Sequence, residues 1–191
     1  MKKIQYRSGK LELRSGEEES KDSFILSGYF AKFNDPTEIW DGVFEQIGPE
    51  AFNKCLDKDV RALYDHDTAK VLGRTKNQTL RLSVDDVGLY GEITVNQKDS
   101  EALNLYERVK RGDIDQCSFG FYILAEQAEK REDGSLLSTI LEVDLIEVSV
   151  VTFPAYESTS IEARGKDFID NEKKQKHLNW QKKMKARFAN A

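Results

Sequence analysis

Two β-rich runs constrain this chain most: residues 116–125 (QCSFGFYILA) and residues 136–151 (LLSTILEVDLIEVSVV), separated by the polar turn KREDGS. Segments this rich in β-branched and aromatic residues read as strands, and the short polar link predicts that they pair or lie close within one sheet or barrel. The core of such a protein is mainly β.

Further strands follow from local pattern. Residues 23–33 (SFILSGYFAKF) read as a strand behind an exposed acidic loop, SGEEESKDS. Residues 60–64 and 70–74 read as two short strands around Asp65-His66-Asp67-Thr68, a polar cluster that marks a turn and puts His66 at a strand end. Leu80, Leu82 and Val84 alternate with polar residues, as do Leu89, Ile93 and Val95 after Asp85-Asp86-Val87-Gly88, which predicts a hairpin with one buried face. Two helices are expected. One lies near residues 49–56, after turn residues, with Pro49 at its start. The other covers residues 99–111, with Asp99 or Ser100 as N-cap, Leu103 with Tyr106 or Leu105 with Val109 on a common face, and a stop at Gly112.

A length of 191 residues suits one domain with appendages, placed here at residues 1–165, with Gly165 as boundary, followed by a basic, helical or disordered tail over residues 166–191. The net charge of -5 hides an asymmetry, because the tail carries eight Lys and Arg against three Asp and Glu. The acidic body should repel nucleic acid, so no specific nucleic-acid partner is expected. In the tail Trp180, Met184 and Phe188 recur at helical spacing and form one apolar stripe between lysines. No window approaches a membrane span, and MKKIQYRSGK lacks the apolar stretch of a secretory signal, which predicts a cytoplasmic protein without a membrane partner. Cys55 and Cys117 have neither disulfide nor zinc-ribbon spacing and read as small buried apolar residues.

The chain has two histidines, which excludes a multi-histidine metal site; a carboxylate site at Asp65 and Asp67 is the remaining metal option, and no cofactor is expected. His66, between acids in a turn, is open to titration near neutral pH, although a loop histidine taken alone is most often a surface residue. Ser118 faces away from Cys117 and Phe119 in a strand, and Gly120 on its own side leaves space for a substrate backbone; the bland alternative is a serine bonded locally. Alternation puts Glu147 on a face with Leu145, Ser149 and Val151, opposite Ile146, Val148 and Val150. A carboxylate in so apolar a run needs a partner, and the chain supplies His66 or His177. Serine, histidine and acid suffice for amide hydrolysis, but nearly every protein contains all three. Cys117 is a rival nucleophile on the opposite strand face.

Taken together, Leu63-Tyr64-Asp65-His66-Asp67 with Val71-Leu72-Gly73-Arg74, then Ser118-Phe119-Gly120-Phe121, then Leu145-Ile146-Glu147-Val148-Ser149-Val150-Val151-Thr152-Phe153-Pro154-Ala155 resemble the prohead proteases of HK97-like tailed phages in order and spacing. The resemblance spans roughly residues 10–160, including the GYFAKFN segment. That family looks like a relative of the herpesvirus assemblins. The resemblance therefore implies an α+β protein that is mainly β with helices: a closed or nearly closed β-barrel surrounded by helices. It also implies Ser118 as nucleophile, His66 as general base and Glu147 as orienting acid, with Asp65, Asp67 and Asp144 as competitors for the last role. Herpesviral relatives use paired arginines at the oxyanion, where this chain has Phe153-Pro154-Ala155; backbone N–H groups, water or Arg164 are the candidate replacements.

The implied function is a serine endopeptidase packaged in the immature prohead, in the host cytoplasm, that cleaves the scaffold segment of the major capsid protein precursor and then itself. Confinement would raise the effective concentration of a weakly recognised site. The tail fits a scaffold or shell contact, or a removable propeptide. A homodimer is an open option, since herpesviral relatives are activated by dimerisation. The rivals are a noncatalytic capsid- or scaffold-binding module with the same fold, and a small-ester hydrolase, whose G-x-S-x-G elbow the chain lacks.

Overall fold

The structure is a computed structural model that describes residues 4–10, 14–15 and 24–153. Most of the acidic stretch before residue 24, the Gly165 boundary, Arg164 and the 166–191 tail lie outside the described residues. In chain order the strands are β1 (Gln5–Lys10), β2 (Arg14–Ser15), β3 (Ile25–Lys32), β4 (Thr37–Trp40), β5 (Val43–Ile47), β6 (Arg61–Tyr64), β7 (Asp67–Arg74), β8 (Leu80–Val84), β9 (Gly88–Thr94), β10 (Gln116–Lys130) and β11 (Leu136–Val151). A 3-10 turn covers Thr75–Asn77, and the helix α1 covers Ser100–Arg111.

β10 and β11 are the axis of the molecule. They pair antiparallel along nearly their whole length, so the two β-rich runs of the sequence form one long hairpin. β1 adds antiparallel to the outer edge of β10. The outer edge of β11 is divided: β5 pairs parallel with residues 136–140, and β6 pairs parallel with residues 147–150. Between them the turn segment closes the gap, with the Gly48 N–H donating to the Ile140 carbonyl and the Val143 N–H to the Ala51 carbonyl. β4 and β7 extend the two branches. A second sheet, in the order β2-β3-β9-β8, packs on this one. Phe30, Leu26, Leu89 and Ile93 from the second sheet join Phe119, Phe121, Leu145 and Val148 from the first in one continuous core.

The expected closed barrel surrounded by helices is overturned by this topology. Closure requires the last strand of a sheet to bond to the first, whereas among the described residues β1 pairs only with β10 and β7 only with β6. The seven-stranded sheet forks at β11 instead of circling, and the described chain is mainly β with one helix. The helix expected near residues 49–56 is a run of turns, with i to i+3 bonds such as Ala51 N–H to Gly48 carbonyl and Cys55 N–H to Phe52 carbonyl. So short a segment gains too few bonds to offset nucleation; burial of Ala51, Phe52 and Cys55 holds it in place.

α1 follows its sequence signals closely. The Asp99 carboxylate accepts from the Glu101 and Ala102 N–H groups, and Gly112, at φ 84°, ends the helix in the left-handed region. Its buried face is Ala102, Leu105, Tyr106 and Val109. No helix among the described residues is long and apolar enough to cross a membrane.

Candidate active site

The site begins with a strained turn. Asp65 and His66 are the two-residue connection between β6 and β7, with Tyr64 paired to Asp67 and both connecting residues at positive φ, 50° and 58°. Positive φ at both positions suits the twist of a two-residue hairpin, and glycine or asparagine usually provides it. A histidine held there costs about 1–3 kcal/mol that neighbouring contacts must offset. Asp65 makes those contacts. Its N–H donates to the Val150 carbonyl at 2.9 Å, and its carboxylate accepts from the Thr152 N–H at 2.7 Å and the Thr152 hydroxyl at 3.1 Å. The turn is thus clamped to the end of β11.

The clamp sets His66 against Glu147, with Nδ1 2.8 Å from Oε1. An ionised carboxylate only accepts, so Nδ1 donates to it, and in a neutral imidazole Nε2 is then the nitrogen with the lone pair. That Nε2 is buried and has no hydrogen-bond partner among the described residues. The other carboxylate oxygen, Oε2, accepts from the Ser149 hydroxyl. Both oxygens of a nearly buried acid are thereby engaged, which is what burial of a charge demands.

The competing acids are committed elsewhere. Asp65 holds Thr152, Asp67 accepts from the Ala69 N–H at 2.9 Å, and Asp144 accepts from Lys58 Nζ at 2.5 Å. Among the described residues no group of three His, Cys, Asp or Glu could hold a metal ion.

Ser118 lies opposite Ser149 in the β10–β11 register, and Gly120 lies opposite Glu147, so these four residues share one face of the sheet. The face parity read from the sequence fails at one point. Gly120 pairs with Glu147 while the next residue, Phe121, pairs with Leu145, so Ile146 is an extra residue in a β-bulge. Leu145 is therefore turned into the core with Val148 and does not share the face of Glu147. Without that bulge a strict alternation would carry Leu145 onto the polar side.

The space over Gly120 is not open to a substrate, as its small size had suggested. A Cβ at that position would stand 2.5 Å from Glu147 Oε1 and 2.9 Å from Tyr6 Cε1. Glycine there makes room for the carboxylate. Tyr6, on β1 opposite Gly120, lays its ring against the imidazole with centroids 4.4 Å apart. Burial, then the nearby charge of Glu147, push its phenol above its ordinary range.

The structure brings His66 and Glu147 into contact but does not join Ser118 to them. The Ser118 hydroxyl donates to the Arg7 carbonyl at 2.9 Å, and the residue is fully buried. β1 therefore covers both the serine and the imidazole. Cys117 occupies the opposite face: its thiol reaches the Tyr29 carbonyl at 3.5 Å, and burial pushes it well above the ordinary thiol range, which leaves it a poor nucleophile. The sequence reading missed Tyr6, Arg7 and Ser149. No local signal marked Tyr6 or Arg7, whose strand is short and polar; Ser149 was visible only as a face-mate of Glu147.

Glu147 and Ser118 share one face of the sheet, and His66 reaches that carboxylate from the β6–β7 turn. The model of the caudovirus prohead serine protease family matches residues 9–175, and the chain belongs to that family. Membership implies a protease of phage capsid maturation, working within the prohead in the host and in contact with capsid precursor proteins. No curated protein and no solved structure matches the chain.

Proposed function

We propose that the protein is an endopeptidase with Ser118 as nucleophile, His66 as general base and Glu147 as orienting acid, and that it cuts the scaffold segment of the major capsid protein precursor and then itself. The observation that carries this reading is the 2.8 Å contact between His66 Nδ1 and Glu147 Oε1, with Nε2 left bare and Ser118 on the same sheet face as Glu147.

The reaction on these groups starts when the Ser118 hydroxyl leaves the Arg7 carbonyl and turns to Nε2. As Oγ bonds to the scissile carbonyl carbon, its proton passes to Nε2, and Glu147 stabilises the imidazolium. Collapse of the tetrahedral adduct breaks the C–N bond, with His66 returning the proton to the leaving amine. Water then attacks the acyl-serine with His66 as base; the ester C–O bond breaks, Ser118 Oγ takes the proton back from His66, and the new C-terminal carboxylate leaves. General-base assistance of this kind contributes on the order of 100-fold to 10,000-fold in rate. Substrate entry requires Tyr6 and the Arg7 backbone to yield the face that they cover. The basic tail is a candidate for the self-cleaved segment or for a scaffold contact.

One observation favours a second reading, a noncatalytic capsid- or scaffold-binding module: the serine is bonded to β1 and closed off from solvent. Intact mass of the purified chain and of Ser118→Ala, each co-expressed with the capsid precursor, separates the two. Fragments of either protein in the wild type alone support proteolysis through Ser118. Two intact samples under conditions where shells assemble favour the binding module, and identical fragments in both point to another nucleophile.

A further inference from the structure

We infer that Ser149 is a positioning residue for the reaction, acting through Glu147; this rests on the Ser118–His66–Glu147 reading above. Ser149 is fully buried and lies two residues beyond Glu147 on the same strand and on the same face, directly opposite Ser118 in the register. Its hydroxyl donates to Glu147 Oε2, while Oε1 faces His66 Nδ1.

The two contacts divide the carboxylate between them. A glutamate's terminal torsion is broad and roughly two-fold, so one hydrogen bond at one oxygen does not fix the plane of the group. The Ser149 bond at the second oxygen does, and it holds Oε1 in line with the Nδ1 proton. Without the hydroxyl, Oε2 is a buried acceptor with no donor, and the carboxylate gains by turning to find one. Any such turn misaligns Oε1, loosens the tautomer that leaves Nε2 bare, and lowers the basicity on which Ser118 depends. A serine that merely fills its place in an apolar strand would bond to local backbone. This one bonds to the catalytic acid.

Gly120 leaves the carboxylate its space, since an added Cβ would stand 2.5 Å from Oε1, so no side chain at that position holds the group in place. Ser149 therefore controls the remaining freedom, rotation about the end of the side chain.

The test uses the full-length protein and a peptide spanning a cleavage site found by intact mass. Ser149→Ala should lower kcat roughly 10–100-fold, by analogy with the loss of hydrogen-bond partners that orient metal-binding residues, with KM little changed. In a Ser118→Ala background, the far-downfield proton resonance of the His66 Nδ1–H, assigned by its loss in His66→Gln, should broaden or vanish on adding Ser149→Ala. Ser149→Thr, which keeps a hydroxyl on the same carbon, should restore most of both signals. Should Ser149→Ala not fold, Ser149→Cys, nearly isosteric but a weak donor, replaces it. Wild-type kcat and an unchanged resonance in the alanine or cysteine variant would overturn the inference. The parent reading fails separately: Ser118→Ala and Glu147→Gln would then remain active. If those two are dead while the Ser149 variant is fully active, only the role of Ser149 falls.

Discussion

At the scale of the residue, the site depends on one missing methyl group. Gly120 is needed because the Glu147 carboxylate and the Tyr6 ring occupy the volume that any side chain would take. An end-of-chain oxygen usually gives way to a new Cβ, but this one is held between His66 and Ser149, so yielding means leaving one of them. Gly120→Ala should therefore fold, give a native circular dichroism spectrum, and lose cleavage by about 100-fold or more, the usual worth of an assisted base. Wild-type turnover in that variant would mean that the observed carboxylate position is not the working one. The sequence pointed to a special role for this glycine and misassigned its occupant. Glycine announces a close approach; it does not say what approaches.

At the scale of the element, β1 decides whether the site is open. The strand carries Tyr6 onto His66 and the Arg7 carbonyl onto Ser118. The raised Tyr6 phenol makes this contact sensitive to pH. Because the folded value exceeds the unfolded one, folding holds the proton more tightly, and stability falls where the unfolded chain has already lost it. The contribution is present in full below about pH 10, the ordinary tyrosine value, and is lost as pH rises through the raised folded value. In urea titrations the stability difference between wild type and Tyr6→Phe should be flat below that pH and shrink above it. A difference independent of pH up to the onset of alkaline unfolding would show that Tyr6 does not pack beside Glu147 in solution.

At the scale of the whole molecule, the cover is anchored by an ion pair that ties β1 to the far branch of the forked sheet. Arg7 bonds to both oxygens of Glu45 on β5, donates to the Tyr6 carbonyl at 2.8 Å, and lies 5.6 Å from the Phe121 ring centre. The side chains are 13% and 4% exposed, so removing one partner strands a charge away from water. Glu45→Ala should cost about 3–5 kcal/mol in chemical denaturation, and Arg7→Met with Glu45→Met much less. Equal losses from the single and the double change would argue that packing, not charge, holds the strand. This anchorage explains why a short polar strand stays paired on the edge of β10, where the sequence showed no strand.

Much of the protein was determined by the sequence alone, and always where the physics is local. The long hairpin of β10 and β11 follows from two β-rich runs and a polar turn, α1 from Asp99 and Gly112 at its ends, and the opposite facing of Cys117 and Ser118 from the two-residue period of a strand. The tertiary structure alone decided the rest. The sequence offered His66 or His177 as partner of Glu147 and the resemblance chose His66, but what brings the two together across 81 residues is tertiary: β6 docks parallel on β11 and Asp65 clamps the turn there. Ile146 bulges, which separates Glu147 from Leu145 and leaves the carboxylate on the serine face. The sheet forks where a barrel was expected, because two strands share one edge of β11 and, among the described residues, no strand joins β1 to β7 or β4. Each of these depends on which edges and registers remain after distant segments have packed, and no window of sequence contains both sides of such a contact.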